Sequence, residues 1–295
     1  MCLLMEDMMD LLVSTEWLAN ELGANDLRVV DATYFALDPA RDAQADYEAG
    51  HIPGAVYLDL ANLKDEASSL PGMLPSAEKF ASRMQSLGLG DGSRIVLYDN
   101  SPHRTAARAW FMFRMFGVNQ VAILDGGLQK WAAEGRPLES GKVALRHRHF
   151  TVWRDSAAVR DLAQMKANVA SGAEEVVDAR SAKRFTGEEG DPRGLASGHI
   201  PGSKNLPFDR LLNADGTFRT KDEIRAAFDA AGVDPAKPLV TTCGSGVTAA
   251  VVLFGAALLG REDVSLYDGS WSEWGLLPDT EKAIGPACET TTANA

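Results

Sequence analysis

The stretch Gly50-His-Ile-Pro-Gly54 recurs as Gly198-His-Ile-Pro-Gly202, which lies 148 positions further along this chain of 295 residues. Two other landmarks recur in the same order, at offsets of 147 and 143: Val29-Val-Asp-Ala32 with Val176-Val-Asp-Ala179, and Asp125-Gly-Gly127 plus Trp131 with Asp268-Gly-Ser270 plus Trp274. Landmarks that repeat in one order at nearly constant spacing indicate an internal repeat rather than chance. The pattern therefore predicts a tandem duplication of one structural unit.

Each repeat alternates predicted strands with predicted helices. In the first repeat, apolar runs predict strands at residues 27–31, 55–60, 94–98 and 121–124. Capping residues and terminal glycines predict helices at residues 14–22, 76–87 and 105–116, with a polar loop at 38–50. This alternation predicts an α/β fold of two tandem domains, each a mainly parallel sheet flanked by helices. We place the first domain at residues 10–138, a linker at 139–160, the second domain at 161–285 and a tail at 286–295.

The second repeat carries a cysteine in a position suited to chemistry. Residues 239–242 predict a buried strand and residues 247–259 an apolar helix that ends at Gly260. Cys243 lies between them, facing a helix N-terminus whose partial positive charge favours a thiolate over a thiol. Gly244 and Gly246 allow a tight turn that points backbone N–H groups inward. The first repeat has Asp99 at the corresponding place, so the second copy alone keeps a nucleophile.

Composition narrows the classes of partner and compartment. Hydrophobic residues make up 45% of the chain and charged residues 24%, as in ordinary globular proteins. The net charge of −12 argues against nucleic acid or an anionic membrane as a partner. The first residues are acidic, without the basic segment of a signal peptide, and no apolar run approaches the roughly eighteen residues of a membrane span. We therefore expect a cytoplasmic protein.

The three cysteines, Cys2, Cys243 and Cys288, are too few and too scattered for a disulfide framework. No Cys-x-x-Cys pair suggests zinc, so we expect no metal site. The pattern fits a reducing compartment in which one thiol does chemistry. Cys2 and Cys288 are expected to be incidental thiols, with condensation of Cys288 onto an oxidised Cys243 left open.

The repeated His-Ile-Pro-Gly, the Asp-Gly-Gly/Ser…Trp pattern and the single cysteine loop resemble the two-domain rhodanese-type sulfurtransferases, over about residues 14–277. The loop Cys243-Gly-Ser-Gly-Val-Thr248 is similar to that of the 3-mercaptopyruvate sulfurtransferases, whereas rhodaneses that use thiosulfate typically have Arg and Lys after the cysteine. The resemblance implies that Cys243 takes sulfur from a small donor, becomes a persulfide and passes the sulfur to cyanide or to a thiol, thioredoxin among them. It implies no cofactor. Thiosulfate is the alternative donor, although Gly244-Ser245 offers no positive charge for it.

The resemblance also implies roles for individual residues. Ser245 matches a serine thought to act in proton transfer with a histidine, matched by His51, and an aspartate. We prefer Asp42 over Asp38 for that aspartate. Two arginines nine positions apart, Arg184 and Arg193, match those that bind the substrate carboxylate, a task for which arginine supplies paired donors. Around the cysteine, substrate binding is assigned to Gly244, Gly246, Val247 and Thr248.

Each assignment has a simpler alternative. Cys243 could be a buried structural cysteine. Because His199 repeats the position of His51, the histidine could serve the turn itself. Ser245 could cap a helix, and the two arginines could be surface ion-pair partners of Glu188, Glu189 and Asp191. This chain also departs from some relatives at Gly50 and in the short loop 100–105, where His103 or Arg104 could compensate.

Two other functional classes compete with a sulfurtransferase. A cysteine phosphatase or arsenate reductase on this fold needs an arginine six residues after the cysteine, and that position is Ala249. The sequence therefore argues against that class. A non-catalytic rhodanese-like binding module is possible on fold alone, but the intact second loop argues against it for the whole chain.

Overall fold

The computed structural model describes residues 9–36, 38 and 40–287, so Cys2 and Cys288 lie outside the described residues. The chain divides into two compact units. The first extends to Ser156 and also includes Leu212–Arg219, whereas the second holds Ala157–Leu211 and the chain from Thr220 onward.

The first unit is a five-stranded sheet with helices between its strands. In chain order its elements are β1 (Leu12–Val13), α1 (Thr15–Glu21), β2 (Leu27–Asp31), α2 (Ala43–Ala49), β3 (Val56–Tyr57), α3 (Ala77–Ser86), β4 (Arg94–Tyr98), α4 (Ala106–Met115), β5 (Val121–Leu124) and α5 (Gly127–Ala133). The strand order across the sheet is β1-β5-β4-β2-β3, and every pair is parallel.

The second unit repeats this architecture. Its elements are a 3-10 helix (Ser156–Ala158), β6 (Val159–Arg160), α6 (Leu162–Ser171), β7 (Glu175–Asp178), α7 (Ala182–Thr186), β8 (Lys204–Asn205), a 3-10 helix (Phe208–Leu211), α8 (Lys221–Ala230), β9 (Leu239–Thr242), α9 (Ala249–Leu258), β10 (Val264–Tyr267) and α10 (Ser270–Trp274). The order β6-β10-β9-β7-β8 is the same as in the first sheet, again with parallel pairs. This confirms the predicted pair of α/β domains.

Burial explains why the central elements are so apolar. All four residues of β9 are buried, as expected for a strand covered on both faces of a parallel sheet. The helix that follows, α9, buries eight of its ten residues and carries no charged side chain. Trp131 in the first unit and Trp271 and Trp274 in the second are also buried. Each tryptophan donates its indole N–H to a backbone carbonyl, which meets the polar requirement of a buried indole.

The structure corrects three local predictions. The strand expected at residues 55–60 is only the two-residue β3, Val56–Tyr57. The polar loop expected at residues 38–50 contains α2, because the Asp42 carboxylate caps that helix by accepting the N–H groups of Gln44 and Ala45. The helix expected from residue 247 begins at Ala249, so two more residues belong to the turn after Cys243. Among the described residues, no helix is long and apolar enough to cross a membrane.

Candidate active site

Cys243 follows β9 directly, at the carboxyl end of a central strand, and its side chain is 2% exposed. Its backbone is held by two bonds from the start of α10: its carbonyl accepts the N–H of Trp271 at 2.9 Å, and its own N–H donates to the Ser270 hydroxyl at 3.3 Å. The cysteine therefore sits in a rigid backbone environment at the edge of the sheet where ligands of parallel α/β folds gather.

The loop after Cys243 presents unused backbone donors. The N–H groups of Gly244, Ser245, Val247 and Thr248 donate to no acceptor among the described residues. Gly246 has a φ of +76°, a left-handed conformation that favours glycine and allows the loop to curl. Successive free N–H groups in a curled loop form a concavity suited to an anion. A structural cysteine needs no such loop, so this geometry favours the chemical interpretation of Cys243.

The Ser245 hydroxyl is not a helix cap. Thr248 is the N-cap of α9, and this helix, all of whose residues are described, has no side-chain capping bond. Ser245 is half-buried, one residue beyond Gly244 in the loop. The capping alternative for Ser245 is therefore not realised, and its hydroxyl is available for other bonds.

The carbonyl of Gly244 is held by three donors. The Ser272 N–H donates to it at 2.9 Å and the Ser272 hydroxyl at 2.7 Å. Nη1 of Arg193 donates to the same oxygen at 3.1 Å. A carbonyl has two lone pairs, so this group is fully saturated, and the peptide that follows Gly244 is fixed in direction.

Both predicted substrate arginines converge on Asp191, whose side chain is 2% exposed. Oδ2 of Asp191 accepts Nη2 of Arg184 at 2.6 Å and Nη2 of Arg193 at 2.7 Å. Burial alone would raise the pKa of Asp191, but hydrogen bonds and charge from Arg193, with a further bond from Arg184, hold that pKa well below its ordinary value. The arginines therefore pair with Asp191, one of the partners that the simpler alternative named, but its carboxylate is buried and orients two cations.

The arginines also face the cysteine loop. A Cβ built on Gly244 would lie 3.4 Å from Nη2 of Arg193 and 3.7 Å from Nη2 of Arg184. The second unit therefore brings together Cys243, its loop and both arginines, as the sequence predicted. Asp191 and Ser272 complete this group. Asp191 was visible in the sequence only as a possible ion-pair partner, and Ser272 gave no local signal.

The corresponding loop of the first unit is closed by its own side chain. The Asp99 carboxylate accepts the backbone N–H groups of Ser101 at 2.8 Å and Ala106 at 2.9 Å. Burial raises the pKa of Asp99 to about 6, against the opposing effects of these bonds and of Arg104. The Asp99 side chain therefore binds backbone N–H groups of its own loop, whereas the loop after Cys243 keeps free N–H groups.

His51 and Asp42 lie in the first unit. The buried His51 ring stacks on Tyr47 at 4.1 Å, and its Nδ1 donates to the Tyr47 carbonyl at 2.8 Å. Its Nε2 is buried and has no partner among the described residues. The capping bonds of Asp42 are directed to α2. Burial raises the pKa of another carboxyl, Asp31, and His51 is among the groups that oppose this rise.

His199 has the same local geometry in the second unit. It stacks on Phe185 at 3.7 Å, and its Nδ1 donates to the Phe185 carbonyl at 2.9 Å. The repeated histidine therefore has a packing role in both units, as the simpler alternative held. Any proton-transfer role of His51 is additional to this shared function.

Comparisons with known proteins identify the family of the chain. The family model described as "Rhodanese-like domain" matches residues 14–134 and 161–276, so the chain belongs to the rhodanese-like domain family and carries two copies of the domain. Human 3-mercaptopyruvate sulfurtransferase is 42% identical over 280 residues, which cover 92% of this chain and 94% of that protein. Thiosulfate sulfurtransferase from Cricetulus griseus is 39% identical over 271 residues, covering 89% and 91%. The crystal structure of the 3-mercaptopyruvate sulfotransferase SseA from Escherichia coli matches with a TM-score of 0.83 and 39% identity, over 90% of this chain and 100% of that chain.

Proposed function

We propose that this protein is a sulfurtransferase that takes sulfur from 3-mercaptopyruvate onto Cys243 and passes it to a thiol or to cyanide. The observation that carries the proposal is a cysteine whose loop has free N–H groups and faces two arginines held by a buried carboxylate. The free N–H groups suit a thiolate and a persulfide anion, and the arginines suit the carboxylate of the donor.

The reaction divides into two transfers. The Cys243 thiolate attacks the donor sulfur, the carbon–sulfur bond breaks, and its electron pair leaves on carbon as the enolate of pyruvate. A proton then converts the enolate into pyruvate, while Cys243 holds the sulfur as a persulfide. In the second transfer, the acceptor attacks the outer sulfur, and the Cys243 thiolate leaves with the electron pair of the sulfur–sulfur bond.

Proton transfer to the leaving carbon is assigned to Ser245 and His51, which the family resemblance matches, with Asp42 preferred over Asp38 as the aspartate. The Ser245 hydroxyl, free of any capping bond, supports its part in this assignment. The unpartnered Nε2 of His51 supports a role for that ring. We further propose a protein thiol such as thioredoxin as acceptor, and a cytoplasmic location.

The test compares 3-mercaptopyruvate with thiosulfate as donors and follows both product sulfur and the intact mass of the protein. We expect wild type to gain one sulfur atom from 3-mercaptopyruvate, and Cys243→Ser to gain none. His51→Asn, which keeps the Nδ1-like donor, is compared with His199→Asn; a larger loss of kcat in the His51 variant is expected if that ring moves a proton.

Other outcomes separate the alternatives. Faster loading from thiosulfate would support Cys243 as the nucleophile but identify thiosulfate as the preferred donor. Thiosulfate is the substrate in the name of the Cricetulus griseus relative. If neither donor loads Cys243, the enzyme assignment fails and a non-catalytic binding module takes its place.

A further inference from the structure

The two arginines beside Cys243 differ in how many donors they have left. A guanidinium group carries five N–H donors. In Arg193, Nε donates to Asp191 at 2.8 Å and Nη2 donates to the same carboxylate at 2.7 Å. Its Nη1 donates to the Gly244 carbonyl at 3.1 Å and to the Ser272 hydroxyl. These four bonds leave a single N–H on Arg193 for a ligand.

Arg184 is used far less. Among the described residues its side chain makes one bond, from Nη2 to Asp191 at 2.6 Å, and its buried Nε has no partner there. Four N–H donors therefore remain, on a side chain that is 17% exposed. A carboxylate is held best by two parallel N–H donors, and Arg184 still has such a pair, whereas Arg193 does not.

We propose that the two arginines divide the work, an inference that rests on the proposed function. Arg184 receives the carboxylate of the donor. Arg193 is a positioning residue that, with Asp191 and Ser272, holds the peptide between Gly244 and Ser245 in the direction that sulfur transfer requires.

The geometry of one peptide bond links Arg193 to the chemistry. A trans peptide is planar, so its C=O and its N–H point in opposite directions. Because Arg193 and both donors of Ser272 hold the Gly244 carbonyl, the N–H of Ser245 is fixed in the opposite direction within the same plane. This N–H is one of the free donors of the cysteine loop. Loosening the carbonyl therefore weakens a preorganised bond to the sulfur anion, which is the type of contact that lowers a reaction barrier.

Asp191 makes the division possible. It binds Nε and Nη2 of Arg193 side by side through its two oxygens, so the outer nitrogen Nη1 is aimed at Gly244. A bidentate pair of this kind fixes the plane of a guanidinium as well as its position. The single bond to Arg184 leaves that plane less constrained and its donors open.

The experiment compares Arg184→Lys with Arg193→Lys, since each change keeps a charge but removes the fork. For Arg184→Lys we expect KM for 3-mercaptopyruvate to rise about 10- to 100-fold with a smaller change in kcat, because a charged bond to the substrate is lost. For Arg193→Lys we expect kcat to fall by a similar factor with little change in KM. Ser272→Ala is expected to lower kcat as Arg193→Lys does, but by a smaller factor. Ser272→Thr is expected to keep more activity than Ser272→Ala, because threonine also has a hydroxyl group.

A second measurement needs no carboxylate donor. Cys243 is loaded with sulfur from polysulfide, and transfer from the persulfide to cyanide is timed. Arg193→Lys is expected to be at least about tenfold slower than Arg184→Lys in this half-reaction. Thermal unfolding of each variant identifies any that fails to fold.

The outcomes separate this inference from the proposed function. If wild-type Cys243 accepts no sulfur from 3-mercaptopyruvate, the proposed function fails. If wild type is loaded but both lysine variants raise KM equally and transfer to cyanide at equal rates, the function stands and the division of work is overturned.

Discussion

At the scale of the residue, the two repeats differ most where Cys243 in one corresponds to Asp99 in the other. Both residues follow a central strand and are buried. The cysteine leaves the donors of its loop free, whereas the aspartate engages Ser101 and Ala106 through its own oxygens. One side chain thus decides whether the backbone N–H groups of the loop are free for an external anion or are bonded to a carboxylate of the protein itself.

The Asp99 carboxyl makes the stability of the first unit depend on pH. Its pKa is raised by burial to about 6 in the folded protein, compared with 3.8 for an ordinary Asp. The folded state binds the proton more tightly, so this contribution to stability is full below pH 3.8 and is lost as the pH rises through about 6. We expect wild type to lose up to about 3 kcal/mol of unfolding free energy over this range, relative to Asp99→Asn.

Denaturant unfolding of wild type and Asp99→Asn between pH 4 and pH 7 gives the unfolding free energy of each protein as a function of pH. The difference between these two curves checks the prediction. Groups common to both proteins cancel in that difference. A difference that is flat over this range would show that Asp99 titrates at its ordinary pKa.

The site residues that the sequence predicted are those with strong local signals. Cys243 was predicted because a β-branched strand, two glycines and an apolar helix surround it. Asp191 was considered only as a possible ion-pair partner, although both arginines that it binds lie within seven positions of it. Ser272 was assigned no role, since it bonds to Gly244 across 28 positions. A contact between residues far apart in the chain produces no local pattern in the sequence.

At the scale of the element, the glycine that precedes each His-Ile-Pro-Gly has a different backbone conformation in the two units. Gly198 has a φ of +106°, and a Cβ there would overlap the carbonyl oxygen of Ala283, which pairs with His199 in a β-bridge. Gly50 has a φ of −174°, an extended conformation open to any residue, and a Cβ there would meet Leu138 at an ordinary 3.6 Å. The identical motif therefore has different backbone demands in the two units.

Gly198→Ala is expected to destabilise the protein by about 1–3 kcal/mol, because a side chain is strained in this conformation and the bridge to Ala283 must shift. Gly50→Ala is the matched control and is expected to change stability by less than about 0.5 kcal/mol. Chemical denaturation of both variants measures the two values. Equal losses would mean that the two turns tolerate side chains alike.

The elements themselves were predicted unevenly. Residues 239–242 and 94–98 were predicted with the bounds that β9 and β4 have, because runs of buried β-branched and apolar residues identify central strands. Helix α2 was missed, since its acidic residues suggested a loop. Asp42 followed by Ala-Gln-Ala was the available signal, an N-cap before good helix formers.

At the scale of the whole molecule, a hairpin from the second half of the sequence belongs to the first unit. Leu212–Arg219 is assigned to that unit, with Leu212 paired to Phe218 across the hairpin. The Phe218 N–H donates to Asp125 at 2.8 Å, and Gly216 approaches Arg104 so closely that a Cβ would overlap the guanidinium. Boundaries drawn along the sequence could not reveal this, because a repeat pattern places every residue in the unit of its neighbours.

Phe218→Ala is therefore expected to destabilise the first unit, although residue 218 lies among residues of the second. Phe218 is 9% exposed, and removing a buried aromatic ring costs about 3–5 kcal/mol. Hydrogen exchange should accelerate in β4 and β5 while β7 and β9 keep most of their protection, since local stability follows local packing. Phe228→Ala, at a residue of α8 that is 6% exposed in the second unit, is the control and should produce the opposite pattern. If both variants accelerate exchange in the same strands, the prediction that Phe218 stabilises the first unit rather than the second is wrong.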